Sequence, residues 1–197
     1  IGPQDVALAI EKAVFSNGFV KNCVMEFIGP GVSNLSQDFR NGIDVMTTET
    51  TCLTTIWCTD EITKQFLTLH GRRHDYKELN PGSIAYYDGL VKVDLNKIES
   101  MIAMPFHPSN VYTIKELNEG GKELLAHIEH EAVEQLDNKN LSLLLPEKYF
   151  DGKVHVDQGI IVGCSGGLYE NIVTAANIVG VKSVGNDRFA FSVYPSS

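Results

Sequence analysis

Apolar residues recur along this chain with two periods that alternate. Val6, Ala9, Ile10 and Ala13 follow a helical spacing, which Asn17-Gly18 brings to a stop. Phe19 to Ile28 reads as extended, most strongly at Val24-Met25 and Phe27-Ile28. Gly29-Pro30-Gly31 is a turn, after which Ser33 or Ser36 caps a helix with Leu35, Phe39, Ile43 and Met46 on one face. The β-branched run Thr50 to Trp57 predicts a strand. Asp60 then opens a helix (Ile62, Phe66, Leu69) that Gly71 closes. Helix and strand alternating at this spacing predict an α/β fold, with three αβα layers around a mainly parallel sheet.

Punctuation thickens beyond Asn80. Pro81-Gly82 breaks the chain, and Asp88-Gly89 reads either as a hairpin turn or as the lead-in to a strand over Leu90–Leu95. Pro105 and Pro108 mark the expected domain boundary, giving one α/β piece over 1–103 and the opening part of a second over 104–197. A helix over 122–136 carries Leu125, Ile128, Ala132 and Leu136 on one stripe. A connector over 137–150 ends in a turn at Asp151-Gly152. Val154–Val162 runs as a strand into Gly163-Cys164-Ser165-Gly166-Gly167. A helix follows with Leu168, Ile172, Ala175, Ala176 and Val179 on one face and Gly180 at its C′ position, and Arg188–Tyr194 closes as a strand.

That arrangement sets Cys164 at the carboxyl end of a strand, beside a helix N-terminus. Unpaired N–H groups there favour a thiolate or a bound anion. Position alone leaves a small buried hydrophobe and a lone reactive thiol beside Ser165 and the glycine amides both open. Composition narrows the partners. The net charge of −9 over 197 residues gives no phosphate-tracking surface, so nucleic acid is not expected. No apolar run reaches membrane-spanning length and no signal pattern is present, so a cytoplasmic protein is expected. The four cysteines lack any C-x-x-C pair and do not form a disulfide framework.

G-C-S-G-G-L-Y-E-N at 163–171 resembles the cluster-cysteine loop of the aconitase superfamily. P-Q-D-V at 3–6, E-F-I-G-P-G-V at 26–32, M-T-T-E-T-T-C-L-T-T at 46–55, V-D-L-N-K-I-E at 93–99 and P-F-H-P-S-N at 105–110 are similar to successive aconitase segments in the same order. The resemblance implies a fragment covering the second domain and the start of the third. The parent would be an iron–sulfur hydro-lyase acting on a small hydroxy di- or tricarboxylic acid. It makes Cys164 one of three thiolate ligands to a 4Fe-4S cluster. Glu49 becomes the catalytic acid that hydrogen-bonds the metal-bound water. The family's other two thiolates come from a downstream G-C-x-x-C that this sequence does not contain, and its substrate-binding arginines also lie outside. The fragment alone is therefore expected to hold no cluster and to be inactive, with the remaining parent domains as its partners. Two departures stand near the site: Val45 where the family has Asn, and Ser165-Gly166 where it has Thr-Asn. The rival from another class is a non-catalytic binding domain on the same scaffold.

The remaining candidates have simpler readings. His127 and His130, with Glu123, Glu131 and Glu134, share the wet side of a helix that already has an apolar stripe. Arg72, Arg73 and His74 suit a helix C-terminus. Cys52 and Cys58 read as packing, and Gly29-Pro30-Gly31 as a turn.

Overall fold

A computed structural model describes residues 1–184 and 189–196. The chain divides into two compact units, Gly2–Ile98 and Glu99–Ser197.

In the N-terminal unit, helix α1 spans Pro3–Val14. Proline sits in its first turn, and the Gly2 amide donates to the Asp5 carboxylate at 2.7 Å. The buried residues of α1 are Pro3, Val6, Ala7, Leu8, Ile10, Glu11 and Val14, a set rotated from the predicted stripe so that Ala13 is exposed. Strand β1 is Val24–Phe27 only, because Phe15–Asn22 coils through successive turns. Helix α2, Gln37–Met46, is capped by Ser36, whose hydroxyl accepts the Phe39 amide. Strand β2, Thr54–Trp57, pairs parallel to β1 and brings Phe27 onto Trp57 as stacked rings 4.1 Å apart. Helix α3, Glu61–Leu69, is capped by Asp60. Val6, Ile10, Val14, Val20 and Ile43 form the core, with Met25, Phe27, Phe39 and Trp57 against it.

Two expectations shift here. The threonine run does not open the strand. Thr47–Thr50 winds as a 3-10 turn in which the Thr47 hydroxyl donates to Asp44 O, that of Thr48 to Val45 O and that of Thr50 to Thr47 O. Short hydroxyl side chains compete for local carbonyls in this way and outbid β propensity. Thr51 then takes φ 66, and β2 starts three residues later. Leu90–Leu95 is not a strand either: no ladder forms, and Leu95–Lys97 is a 3-10 turn opened by Asp94.

In the C-terminal unit, β3 (Met101–Ala103) and β4 (Val111–Thr113) form an antiparallel hairpin, with Pro105 and Pro108 in its loop. Thr113 and Glu116 make a reciprocal capping box at the start of α4, Ile114–Gln135. This helix begins earlier than predicted and breaks at Gly121, which takes φ 55 and ψ −137 against the Tyr149 ring. Leu117, Leu125 and Ile128 form the unit's core, whereas Leu136 is exposed. The connector is pinned by Glu129, whose carboxylate accepts the amides of Leu143, Leu144 and Leu145. Strands β5 (Tyr149–Phe150) and β6 (Lys153–Val154) turn at Asp151-Gly152. Strand β7, Gln158–Ile161, leads through the single turn α5, Gly163–Gly166, to α6, Tyr169–Val179. Strand β8, Ala190–Val193, returns parallel to β7. The predicted last strand includes Arg188, which lies outside the described residues. The fold is mixed α/β, with parallel pairs β1–β2 and β7–β8 and antiparallel pairs β3–β4 and β5–β6.

Candidate active site

Cys164 stands where the sequence placed it, at the carboxyl end of β7 on the turn α5, with an exposed thiol. The turn is built from glycine in two different ways. Gly163 takes φ 88, closed to most side chains, and so lets the chain leave the strand. Gly167 has an ordinary φ but no room. A Cβ there would lie 2.7 Å from Tyr194 O and from the Ser196 amide nitrogen. The close approach holds two bonds, since the Ser196 amide and hydroxyl both donate to Gly167 O, at 2.9 and 3.1 Å. From the α6 side, the Asn171 side chain donates to Ser165 O at 2.8 Å. The loop is thus tied to β8's continuation and to α6, while the sulfur is left free to face outward.

Glu49 is exposed on the Thr47–Thr50 turn, between buried Thr47 and Thr50. Asp44 of α2 takes the Thr55 hydroxyl and the Trp57 Nε1–H (2.8 Å), joining α2 to β2 on either side of the turn. The Cys52 thiol donates to Thr47 O. Arg40, only 1% exposed, makes a two-pronged pair with Asp60 (2.6 and 3.1 Å) and reaches Val32 O. Burial alone would raise the Asp60 carboxyl. The Arg40 hydrogen bonds and the Thr63 amide outweigh it and hold the carboxyl below its usual range. Glu49 and Cys164 stand on different units.

The sequence reading passed over Glu11. It lies on α1 in the stripe Ala7, Glu11, Val14, a carboxyl in an apolar series, and that spacing was the available signal. It is completely buried and neither oxygen has a hydrogen-bond partner. Burial, and secondarily the charge of Glu49, push it up to about 7.

The other candidates keep their simpler readings. His127 and His130 are exposed and face Glu131 and Glu134 one turn on. Arg72 and His74 both turn to Asp75. The Cys58 thiol is raised by burial and then by Glu26, as suits a packed residue. Among the described residues no group of three His, Cys, Asp or Glu side chains is placed to hold a metal ion, and no helix is long and apolar enough to cross a membrane.

A strand leading into a glycine-rich turn that presents one outward thiol, on a mixed α/β unit, defines a class of loop suited to ligation or anion binding. The comparisons place it more closely. The model of the aconitase family (aconitate hydratase) matches residues 1–197, and the chain belongs to that family. Over 118 residues it is 36% identical to an aconitase from Aspergillus rugulosus, which is 57% of this chain and 13% of that protein. It is 29% identical over 160 residues to the 2,3-dimethylmalate dehydratase large subunit of Eubacterium barkeri, covering 81% of this chain and 30% of the relative. Against the 3-isopropylmalate dehydratase large subunit of Lachnoclostridium phytofermentans it is 24% identical over its whole length, 38% of that protein. The chain thus spans well under half the length of these relatives.

Proposed function

We propose that this chain is the part of an aconitase-like hydro-lyase that supplies one cluster thiolate, Cys164, and one proton-transferring carboxyl, Glu49. The substrate class is a small hydroxy di- or tricarboxylic acid; the dehydratase relatives are named for 2,3-dimethylmalate and 3-isopropylmalate, both hydroxy dicarboxylic acids. The observation that carries the reading is the exposed Cys164 thiol on a glycine-tied turn, in a chain matched from end to end by the aconitase family. The N-terminal unit is assigned to the family's second domain and the C-terminal unit to the opening of its third. In the complete protein each would form part of a three-layer αβα arrangement around a mainly parallel sheet.

The residues of this chain do not fit a four-iron cluster by themselves, since one thiolate cannot hold a cubane against solvent. The two further thiolates, the substrate-binding groups and any partner subunit are assigned to the rest of the protein. Residues 1–197 alone are expected to bind no cluster and to show no turnover. Anaerobic reconstitution followed by iron analysis and a visible spectrum tests this, and about four irons per chain would overturn it. In the parent protein, Cys164→Ser is expected to abolish the cluster absorption. Glu49→Gln should retain the absorption and lose roughly 10²- to 10⁴-fold in kcat. An unaltered kcat in Glu49→Gln removes that residue from the chemistry.

A further inference from the structure

Helix α1 packs against α2 and against the Thr47–Thr50 turn, and Glu11 lies on its buried face. At 0% exposure and with no protein hydrogen bond to either oxygen, its carboxyl is cut off from bulk solvent and has no protein donor to stabilise a charge. The charged side chains on the elements packed against α1 are Asp38, Arg40 and Asp44 of α2 and Glu49 of the turn. None of them neutralises Glu11. The Arg40 charge is paired with Asp60, its two Nη atoms bonding Asp60, Thr63 and Val32 O while its Nε has no partner, and it is not among the charges acting on Glu11. The Asp44 side chain accepts from Thr55 and Trp57. Glu49 is the one whose charge acts on Glu11, and it repels. The buried hydroxyls of Thr47 and Thr50 face carbonyls of their own segment.

We propose that Glu11 is a proton switch beneath the turn that carries Glu49: protonated, it lets the turn seat on α1, and ionised, it drives that contact to open toward water. An unpartnered carboxylate cannot stay in an apolar contact, so the loss of its proton is coupled to an opening that hydrates it. The nearest part able to give way is the 3-10 turn, held by local hydroxyl–carbonyl bonds and not by a ladder. The inference goes beyond the assignment of Glu49 to catalysis and does not rest on it.

Two measurements on the full chain test it, and neither needs turnover. A carbon-13 titration of the Glu11 side-chain carboxyl is expected to show a midpoint near 7, in line with its raised value. A midpoint in the ordinary glutamate range of about 4 to 5 overturns the proposal. Amide exchange across residues 48–52, corrected for its intrinsic pH dependence, should speed up on the order of fiftyfold between about pH 5 and pH 8. Glu11→Gln and Glu11→Leu are both expected to abolish that rise, the second keeping the test alive should the buried amide prevent folding. Glu49→Gln should reduce the rise without removing it. A rise that persists in a folded Glu11 variant, or none in the wild type, overturns the switch. Failure of Glu49→Gln to alter activity in the parent would leave these results untouched.

Discussion

At the scale of single residues, the Cys164 loop turns on a distinction between two neighbouring glycines. Gly166 has nothing within 4 Å of where a Cβ would stand, whereas at Gly167 a Cβ would meet backbone atoms of Tyr194, Ser196 and Gly163 at 2.7 to 2.8 Å. Backbone cannot swing aside as a flexible side chain can. Gly167→Ala is therefore expected to break the Ser196 bonds to Gly167 O and to cost about 3 kcal/mol or more. Gly166→Ala, in helical backbone with open space, should be neutral or stabilising by up to about 1 kcal/mol. Urea denaturation of the two variants checks the contrast, and equal effects would contradict it. The sequence showed G-G as a place where the chain turns back, but not which glycine was irreplaceable. That depends on the segment around Ser196 returning across the loop, a contact between residues far apart in sequence.

Between elements, the Arg40–Asp60 pair does for α2 and α3 what apolar packing does elsewhere in the unit. Arg40 is 1% exposed and Asp60 also caps α3 through the Thr63 amide. Arg40→Met keeps the volume, removes the charge and leaves Asp60 without its partner, with an expected loss of about 3 kcal/mol. Because the guanidinium is buried, the stability the pair provides should be nearly insensitive to added salt, which a denaturation series at low and high ionic strength would reveal. Asp60 itself was legible as a cap, because a cap is local: Asp followed by a helical period. Gly180 and the Asp151-Gly152 turn were legible for the same reason, and the cap of α2 was narrowed to Ser33 or Ser36. The stretches misread were those where composition pointed one way and the bonding or packing of the backbone went another. The predicted strand opens at Thr50, yet the hydroxyls of Thr47, Thr48 and Thr50 bond back to carbonyls three residues earlier and the chain winds as a turn there. Leu90–Leu95 has strand composition but pairs with no strand among the described residues. The helix α4 starts before the predicted residue 122, because Gly121 is a kink within it, seated on Tyr149, and not an end. Cys164 and Glu49 were visible as members of motifs, and Glu11 was not, since a charged residue in an apolar stripe is normally discounted as wet surface.

On the scale of the whole molecule, two carboxyls make stability depend on pH in opposite directions. Glu11 rises from 4.5 to about 7 on folding. Below its unfolded value both states are protonated and nothing is lost. As the pH climbs toward 7 the unfolded chain gives up this proton first, so the folded state loses stability, by about 3 kcal/mol once both states are ionised. Asp60 is lowered on folding because the bonds from Arg40 and Thr63 overcome its burial. Its contribution is present above the ordinary aspartate range and is lost as the pH falls through its lower folded value. From these two groups the N-terminal unit should therefore be most stable where Asp60 is largely ionised and the unfolded chain still keeps the Glu11 proton, between about pH 4 and 4.5. Urea midpoints measured across about pH 3 to 9 for the wild type, Glu11→Leu and Asp60→Asn separate the two effects. Relative to the wild type, Glu11→Leu should gain most above neutrality and least near pH 4.5. Asp60→Asn should lose most above pH 5 and approach the wild type in acid. A wild-type profile that stays level from pH 5 to 8, with Glu11→Leu running parallel to it, would show that Glu11 meets a donor or water in solution, and the acid-side optimum would be lost with it.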